Sequence, residues 1–231
     1  MSRKIESKSA CSTEPCSPTS NQRITCLPRA LESKLYDGGV DFVIGVDEAG
    51  RGPLAGSVVA AACVVLNRQR LIPGIHDSKQ LDEETRDLLY STLTSDSDVI
   101  WSVASVDNKR IDEINILQAT FEAMTAAVEG VLEQLAKKTS RKFHVLIDGN
   151  KIPPQLRKYS CTPVIKGDGK EFLIAAASVL AKVTRDKQMY DLHEKFPAFN
   201  FAQHKGYPTA EHRLAISRFG PIECHRMTLP L

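Results

Sequence analysis

Apolar residues along the chain gather into short runs that predict five β-strands. These runs occupy residues 42–46, 57–66, 99–106, 143–148 and 159–165. Two of the runs lead into carboxylates, the first into Asp47 and Glu48 and the fourth into Asp148. Adjacent acids at the end of a buried strand indicate that a cation meets them there, because an unpaired buried charge is costly.

Apolar side chains at three- and four-residue steps predict helices between and after the strands. The predicted helices cover residues 82–93, 111–135 and 170–194, and a last one follows Thr209 as N-cap and ends near Gly220. Short connections between the first strands predict antiparallel pairing, and the later helix-to-strand crossovers predict parallel pairing. The predicted fold class is therefore α/β, a mixed five-stranded sheet flanked by helices, with a small C-terminal helical extension.

The N-terminal segment differs from the rest of the chain because it has no hydrophobic period. Residues 1–38 are predicted to form a disordered tail, and one folded domain is predicted over residues 39–231. A weak organellar transit peptide is the alternative for the tail, although Glu6 and Glu14 argue against it.

Composition narrows the class of protein without indicating a function. With 42% hydrophobic and 25% charged residues, the chain has the make-up of a soluble globular protein. A formal net charge of only +2 allows a local basic groove but no large basic field. The six cysteines contain no C-x-x-C pair, so zinc is disfavoured and a reducing, cytoplasmic location is predicted. The longest apolar run, residues 53–66, is too short to span a bilayer, so no membrane partner is expected.

The strand-end acids and one helical acid form a candidate metal site. Open sheets of this kind bind ligands at strand ends. Asp186 lies on the third predicted helix and shares one face with Ser178 and Lys182. If that face turns toward the strand ends, four carboxylates converge. Two unit charges at about 4 Å repel by roughly 4 kcal/mol at an effective dielectric near 20, and Mg²⁺ or Mn²⁺, which prefer oxygen ligands, would remove this cost.

Each acid taken alone has a simpler interpretation. Asp148 followed by Gly and Asn is an ordinary turn signal, and Asp186 could be an exposed partner of Arg185 or Lys182. Taken together, the acids suit two ions about 3.5–4 Å apart, which can activate water and stabilise a leaving oxygen. Phosphodiester hydrolysis needs both of these roles.

Several segments resemble those of ribonuclease HII, in the same order along the chain. They are DEAGRGPLAG at 47–56, DSK at 77–79, NILQA at 115–119, IDG at 147–149, KGD at 166–168, AAASVLAKVTRD at 175–186, HKGYPT at 204–209 and HR at 225–226. The resemblance implies a ribonuclease H-like catalytic domain over residues 39–231. It also implies cleavage of RNA within RNA–DNA hybrids, and incision on the 5′ side of single ribonucleotides in duplex DNA.

The resemblance assigns roles to the four acids. By position in these segments, Asp47, Glu48, Asp148 and Asp186 correspond to the family's catalytic, metal-binding acids. The implied cofactor is a pair of divalent ions, Mg²⁺ or Mn²⁺. No catalytic acid is missing, so the resemblance is to an active enzyme.

The resemblance also assigns substrate contacts. Gly50, Arg51 and Gly52 correspond to a segment that contacts the 2′-hydroxyl, a group that both donates and accepts hydrogen bonds. Tyr207 corresponds to a tyrosine that stacks on the following sugar and favours deoxyribose. Taken alone, these residues are a tight turn and a packed loop residue. Further phosphate contacts are expected at Lys79, Ser178 and Lys182, whose simpler interpretation is solvated surface or support of the neighbouring acids.

Two other functions stay open. One is another ribonuclease H-like nuclease of the resolvase or integrase type, which has no need to sense a 2′-hydroxyl. The other is a non-catalytic nucleic-acid-binding module, which the near-neutral charge and the four acids disfavour. The expected partners are RNA–DNA hybrid and ribonucleotide-containing duplex DNA, and the chain is expected to be a monomer. His204, His212 and His225 are expected to be structural.

Overall fold

One mixed sheet organises the chain in the structure, a computed structural model that describes residues 27–70, 72–137 and 141–229. Its strands are β1 (Phe42–Ala49), β2 (Val58–Val65), β3 (Val99–Val106), β4 (Phe143–Asp148) and β5 (Cys161–Val164). The order across the sheet is β3-β2-β1-β4-β5. All five predicted strands are therefore confirmed, and β3 and β4 have the predicted bounds.

Strand directions place the ends of β1 and β4 side by side. β1 pairs antiparallel with β2, and β2 pairs antiparallel with β3, whereas β4 runs parallel to both β1 and β5. Val46 lies opposite Ile147, so the residues that follow them, Asp47 and Asp148, are also neighbours. The predicted change from antiparallel to parallel pairing is confirmed, and it brings the strand-end acids to one edge of the sheet.

Helices cover both faces of the sheet and build the C-terminal extension. The α-helices of the described residues are α1 (Ala30–Asp37), α2 (Glu83–Ser95), α3 (Asn108–Ala136), α4 (Phe172–Lys195), α5 (Phe201–His204) and α6 (Ala210–Phe219). The four predicted helices correspond to α2, α3, α4 and α6, with ends that differ by a few residues. Thr209 is the N-cap of α6 as predicted, because its hydroxyl accepts a hydrogen bond of 3.2 Å from the N–H of His212.

Helix α4 packs directly on β1. A Cβ at Gly45 would lie 2.2 Å from the backbone carbon of Leu173, so only glycine permits this approach. The small side chains of Ala175 and Ala176 are fully buried beside it. This close packing brings Ser178 and Lys182 of α4 to the edge of the sheet where β1 ends.

Helix α3 covers the opposite face of the sheet, but it is not the continuous helix predicted over residues 111–135. Asn115 has a φ of 67°, and its side chain accepts hydrogen bonds from the N–H groups of Leu117 at 3.0 Å and Gln118 at 3.1 Å. Asparagine tolerates this left-handed conformation and caps the helix that restarts after it. The apolar period continues across the break, which is why periodicity did not reveal it.

Part of the predicted tail is helical, so the prediction of disorder is wrong for α1. Glu32 is fully buried there. Its carboxylate accepts hydrogen bonds from the N–H of Leu173 at 2.8 Å and from Arg29 Nε at 2.6 Å. The contact with Leu173 at the start of α4, together with Leu31 and Leu35 packed against the core, stabilises this short helix. Residues 1–26 of the predicted tail lie outside the described residues.

The C-terminal extension has its own small core. Phe199, Phe201 and Ile216 pack with Leu54 and Met189, so the extension contacts both the segment after β1 and helix α4. No helix in the described ranges combines the length and the apolar character needed to cross a bilayer.

Candidate active site

Three acids meet where β1 and β4 end. Asp47 and Glu48 lie in the last residues of β1, and Asp148 is the last residue of β4. One carboxylate oxygen from each of the three lies within 4.8 Å of the other two. Because β1 continues past its predicted end to Ala49, sheet hydrogen bonds hold the backbone of both of its acids.

Burial and mutual repulsion oppose the ionisation of these acids. Asp47 is 4% exposed, and burial, followed by the charges of Glu48 and Asp148, raises its pKa well above the usual value. Burial also raises the pKa of Glu48, although the charge of Arg51 partly offsets it. Burial raises the pKa of Asp148 as well, against a hydrogen bond of 2.7 Å from the N–H of Gly167. The cluster therefore lacks the positive charge that would keep it fully ionised.

A divalent cation fits this set of donors. Carboxylate oxygens are the hard ligands that Mg²⁺ and Mn²⁺ prefer, and a charge of +2 would reverse the repulsion among the three acids. Within the described residues, the one ion pair to this cluster joins Arg51 Nη1 and Glu48 Oε1 at 3.3 Å. One half-exposed arginine does not balance three converging carboxylates.

Asp186 is buried next to the cleft but is not one of these three acids. Its carboxylate accepts hydrogen bonds from Lys182 Nζ at 2.6 Å and 2.7 Å. This is an i,i+4 pair on one face of α4. The structure thus brings three of the four predicted acids together and pairs the fourth with Lys182, the partner that their spacing allowed.

A cleft of about 230 Å³ contains the three acids and the predicted substrate contacts. In addition to Asp47, Glu48 and Asp148, its walls include Gly50, Arg51, Gly52, Lys79, Ser178, Lys182 and Tyr207. Every predicted site residue except Asp186 therefore lines one depression.

The glycine turn and Tyr207 form one wall of this cleft. Gly50 has a φ of 97°, a conformation that favours glycine. A Cβ on Gly52 would lie 3.4 Å from the ring of Tyr207, so the turn and the ring are in contact. Part of the ring is accessible, since Tyr207 is 43% exposed. Exposed peptide groups beside an accessible aromatic ring suit recognition of a sugar and its neighbour.

Ser178 and Lys79 already have partners within the protein. Ser178 Oγ donates to Ser78 Oγ at 2.6 Å and accepts from the N–H of Ser78 at 3.3 Å. Lys79 Nζ lies 3.0 Å from Asp168 Oδ2. The contacts of Ser178 therefore support the loop that carries Lys79, whose side chain is 75% exposed and accessible to a ligand.

Asp168 was not predicted as a site residue. Its side chain is buried, and after burial its negative charge adds to the raised pKa values of Asp47 and Asp148, which places it beside the cluster. The only signal in the sequence was its place in the segment 166–168. Nothing in that segment links it to the ends of β1 and β4.

Two further depressions meet the cleft at Asp148. One, of about 470 Å³, is bordered by Lys79 and Lys166, and the other, of about 300 Å³, by Arg51 and Lys151. Positive side chains thus flank the acid cluster on both sides. Such a groove suits a polyanion, although the net charge of the whole chain is close to zero.

Known proteins are similar in sequence to this chain over most of its length. A family model described as ribonuclease HII matches residues 44–229. Ribonuclease HII of Caldanaerobacter subterraneus subsp. tengcongensis is 46% identical over 197 residues, which cover 85% of this chain and 77% of that protein. Ribonuclease HII of Acinetobacter baylyi is 48% identical over 185 residues, which cover 80% of this chain and 93% of that protein.

Solved structures share the fold. Ribonuclease H2 from Pyrococcus horikoshii OT3 superposes with a TM-score of 0.62 at 29% identity, covering 81% of this chain and 93% of that one. The RNase HII in the PCNA:RNase HII complex from Archaeoglobus fulgidus gives a TM-score of 0.66 at 24% identity, covering 82% and 96%. The mixed sheet with acids at its edge therefore defines a ribonuclease H-like nuclease. The chain belongs to the ribonuclease HII family, and it is an enzyme of the ribonuclease H type.

Proposed function

We propose that this enzyme cleaves the RNA strand of RNA–DNA hybrids and incises duplex DNA on the 5′ side of single ribonucleotides. It uses two divalent ions, Mg²⁺ or Mn²⁺. The observation that carries the proposal is the single cleft in which the three acids stand beside the glycine turn and Tyr207. The acids support phosphodiester hydrolysis, and the neighbouring wall supports recognition of the sugar.

The acids are proposed to hold the ions. Asp47, Glu48 and Asp148 form the ligand set, and Asp186 joins it as Lys182 transfers to a phosphate of the substrate. Bound there, a pair of divalent ions activates water and stabilises the leaving oxygen. Bst-RNase HIII, which has the same fold at 18% identity, is described in complex with Mn²⁺, in keeping with this assignment.

The cleft wall is proposed to recognise the sugars. Peptide groups of Gly50, Arg51 and Gly52 contact the 2′-hydroxyl, and the Arg51 guanidinium meets a phosphate. Tyr207 stacks on the sugar that follows, where a deoxyribose fits better than a ribose. Lys79 is accessible for a backbone phosphate, whereas Ser178 acts by holding the Asp77–Lys79 loop.

The catalytic unit is proposed to include α1 as well as residues 39–229, because Glu32 caps the start of α4. A reducing, cytoplasmic location fits the cysteines in the described ranges, since Cys63, Cys161 and Cys224 are free thiols. The protein is proposed to act as a monomer.

The decisive experiment uses duplex DNA that carries one ribonucleotide, incubated with and without Mg²⁺. The expected product has a 3′-hydroxyl on the upstream fragment and a 5′-phosphate on the ribonucleotide. The same duplex without the ribonucleotide should stay intact, and a long RNA–DNA hybrid should be cut at many positions.

Two outcomes would contradict the proposal. Cleavage of the all-deoxy duplex at the same rate would show that the 2′-hydroxyl is not sensed. Cleavage that persists in excess EDTA and leaves a 2′,3′-cyclic phosphate would show that the acids do not act with a divalent ion.

A further inference from the structure

Two buried arginines lie behind the glycine turn. Arg226 is 0% exposed and Arg185 is 1% exposed. Neither forms an ion pair with a carboxylate in the described part of the chain. Burial, followed by the charge of Arg185, lowers the pKa of Arg226 to about 9. Two neighbouring buried cations without an acid partner are costly, so their contacts must compensate.

Arg226 donates only to backbone carbonyls of the segment 50–57, which follows β1. The acceptors are the carbonyl oxygens of Gly50 at 2.6 Å, Pro53 at 2.8 Å, Gly56 at 2.9 Å, Ser57 at 3.1 Å and Arg51 at 3.2 Å. One guanidinium thus uses all of its donor directions on a single irregular loop. A lysine has three donors on one nitrogen and could not reach this set.

Arg185 connects the same loop to the one that carries Tyr207. It donates to the carbonyls of Ser57 at 3.1 Å and Ala55 at 3.2 Å, and also to the carbonyl of Lys205 at 3.0 Å. A Cβ on Gly50 would lie 2.1 Å from Arg185 Nε, so the arginine packs directly against the glycine turn.

The carbonyl contacts also orient the peptide N–H groups of the turn. In a trans peptide, the carbonyl of one residue and the N–H of the next point in opposite directions. Because the carbonyls of Gly50 and Arg51 point at Arg226, the N–H groups of Arg51 and Gly52 point away from it. Neither N–H has an acceptor among the described residues, and both residues line the cleft.

We propose that Arg226 and Arg185 are positioning residues for sugar recognition. They hold the peptide groups of residues 50–52 in one orientation and fix that turn relative to Tyr207. They act through the loop and do not touch the substrate. The identity of the substrate in this inference rests on the proposed function above.

The test compares two substrates on one preparation of enzyme. The ratio of kcat/KM for a single embedded ribonucleotide to kcat/KM for a long RNA–DNA hybrid is measured for the wild type and for Arg226→Lys. The ratio cancels any difference in the folded fraction. It should fall about tenfold or more in the variant, mostly through kcat on the single ribonucleotide. Loss of the 2′-hydroxyl contact lowers both rates, but a displaced turn also shifts Tyr207, which packs beside Gly52, away from the deoxyribose that only the single-ribonucleotide duplex presents.

Arg70→Lys is the matched control. The Arg70 side chain donates only to Asp96, at 3.0 Å and 3.2 Å, so the same chemical change there should leave the ratio at the wild-type value.

A wild-type ratio in Arg226→Lys overturns the inference, whether both rates are unchanged or both are lowered together. If Arg226→Lys is inactive on both substrates, Arg185→Lys decides by the same ratio. A wild type that does not incise single ribonucleotides overturns the proposed function, and this inference with it.

Discussion

The two walls of the cleft are built in different ways. The acid wall, formed by Asp47, Glu48 and Asp148, is carried by paired strands, and burial raises the pKa of each of its members. The loop wall, formed by residues 50–52 and Tyr207, has no strand ladder and is held by hydrogen bonds from buried side chains. Without a bound ion, the burial and mutual repulsion of its carboxylates destabilise the acid wall. Hydrogen bonds already hold the loop wall in place before any ligand binds. Changes to the two walls should therefore have different signatures.

The largest effect is expected on the acid wall, from Asp47→Asn. Cleavage of every substrate should fall by about a thousandfold or more, on the scale of losing a catalytic group. In EDTA, however, the free energy of unfolding should rise, because the amide cannot ionise in a buried site that disfavours the charge. Denaturant titration and single-turnover cleavage measure the two quantities.

Mg²⁺ gives the matched control for this change. It should raise the melting temperature of the wild type, because an ion that binds only the folded state stabilises it. Mg²⁺ should raise the melting temperature of Asp47→Asn much less, because this variant has lost one carboxylate of the proposed ion site. Wild-type cleavage by Asp47→Asn, or a loss of stability in EDTA, would show that the acid wall is not a strained ion site.

The loop wall should respond selectively. Tyr207→Ala should lower the rate at a single ribonucleotide about tenfold more than the rate on a long hybrid, because only the former needs stacking on a deoxyribose. Stability should change little, since the ring is 43% exposed. Tyr159→Ala is a suitable control, because Tyr159 lies outside the cleft, with its ring 5.4 Å from that of Phe143 between centroids. Equal losses on both substrates would remove Tyr207 from junction recognition.

The difference between the walls also explains which parts of the site could be predicted from the sequence. The acid wall follows from the strand pattern, because apolar runs that end in carboxylates at parallel neighbours must meet at one edge of a sheet. The predicted strands therefore placed Asp47 and Asp148 at strand ends, and the pairing of β1 with β4 in the structure makes them neighbours. Segment matches supplied the glycine turn and Tyr207, which periodicity alone could not separate from ordinary loops.

The supports of the loop wall were not predictable in the same way. Arg226 and Gly50 lie far apart in the chain, and nothing local to Arg226 indicates that it donates to a turn behind the active site. Asp168 was missed for the same reason. The pairing of Asp186 with Lys182 is the opposite case, because i,i+4 spacing indicates such a contact directly.

The smallest effect is expected from pH, at the histidines behind the loop wall. His212 Nδ1 lies 3.0 Å from the carbonyl of Tyr207, and His212 Nε2 lies 3.1 Å from His225 Nε2. Burial, more than its other contacts, lowers the pKa of His212 to about 4.

Between the unfolded pKa of about 6.5 and the folded value of about 4, the unfolded chain binds the extra proton, so the free energy of unfolding should fall as the pH falls through this window. Acids on the other wall, whose folded pKa values are raised, act in the opposite direction, so the comparison is made between His212→Gln and the wild type at each pH. Thermal unfolding in EDTA at pH 7 and pH 4.5 should therefore show that His212→Gln loses less stability on acidification than the wild type does. Parallel losses in the two proteins would mean that His212 already carries its proton in the folded state.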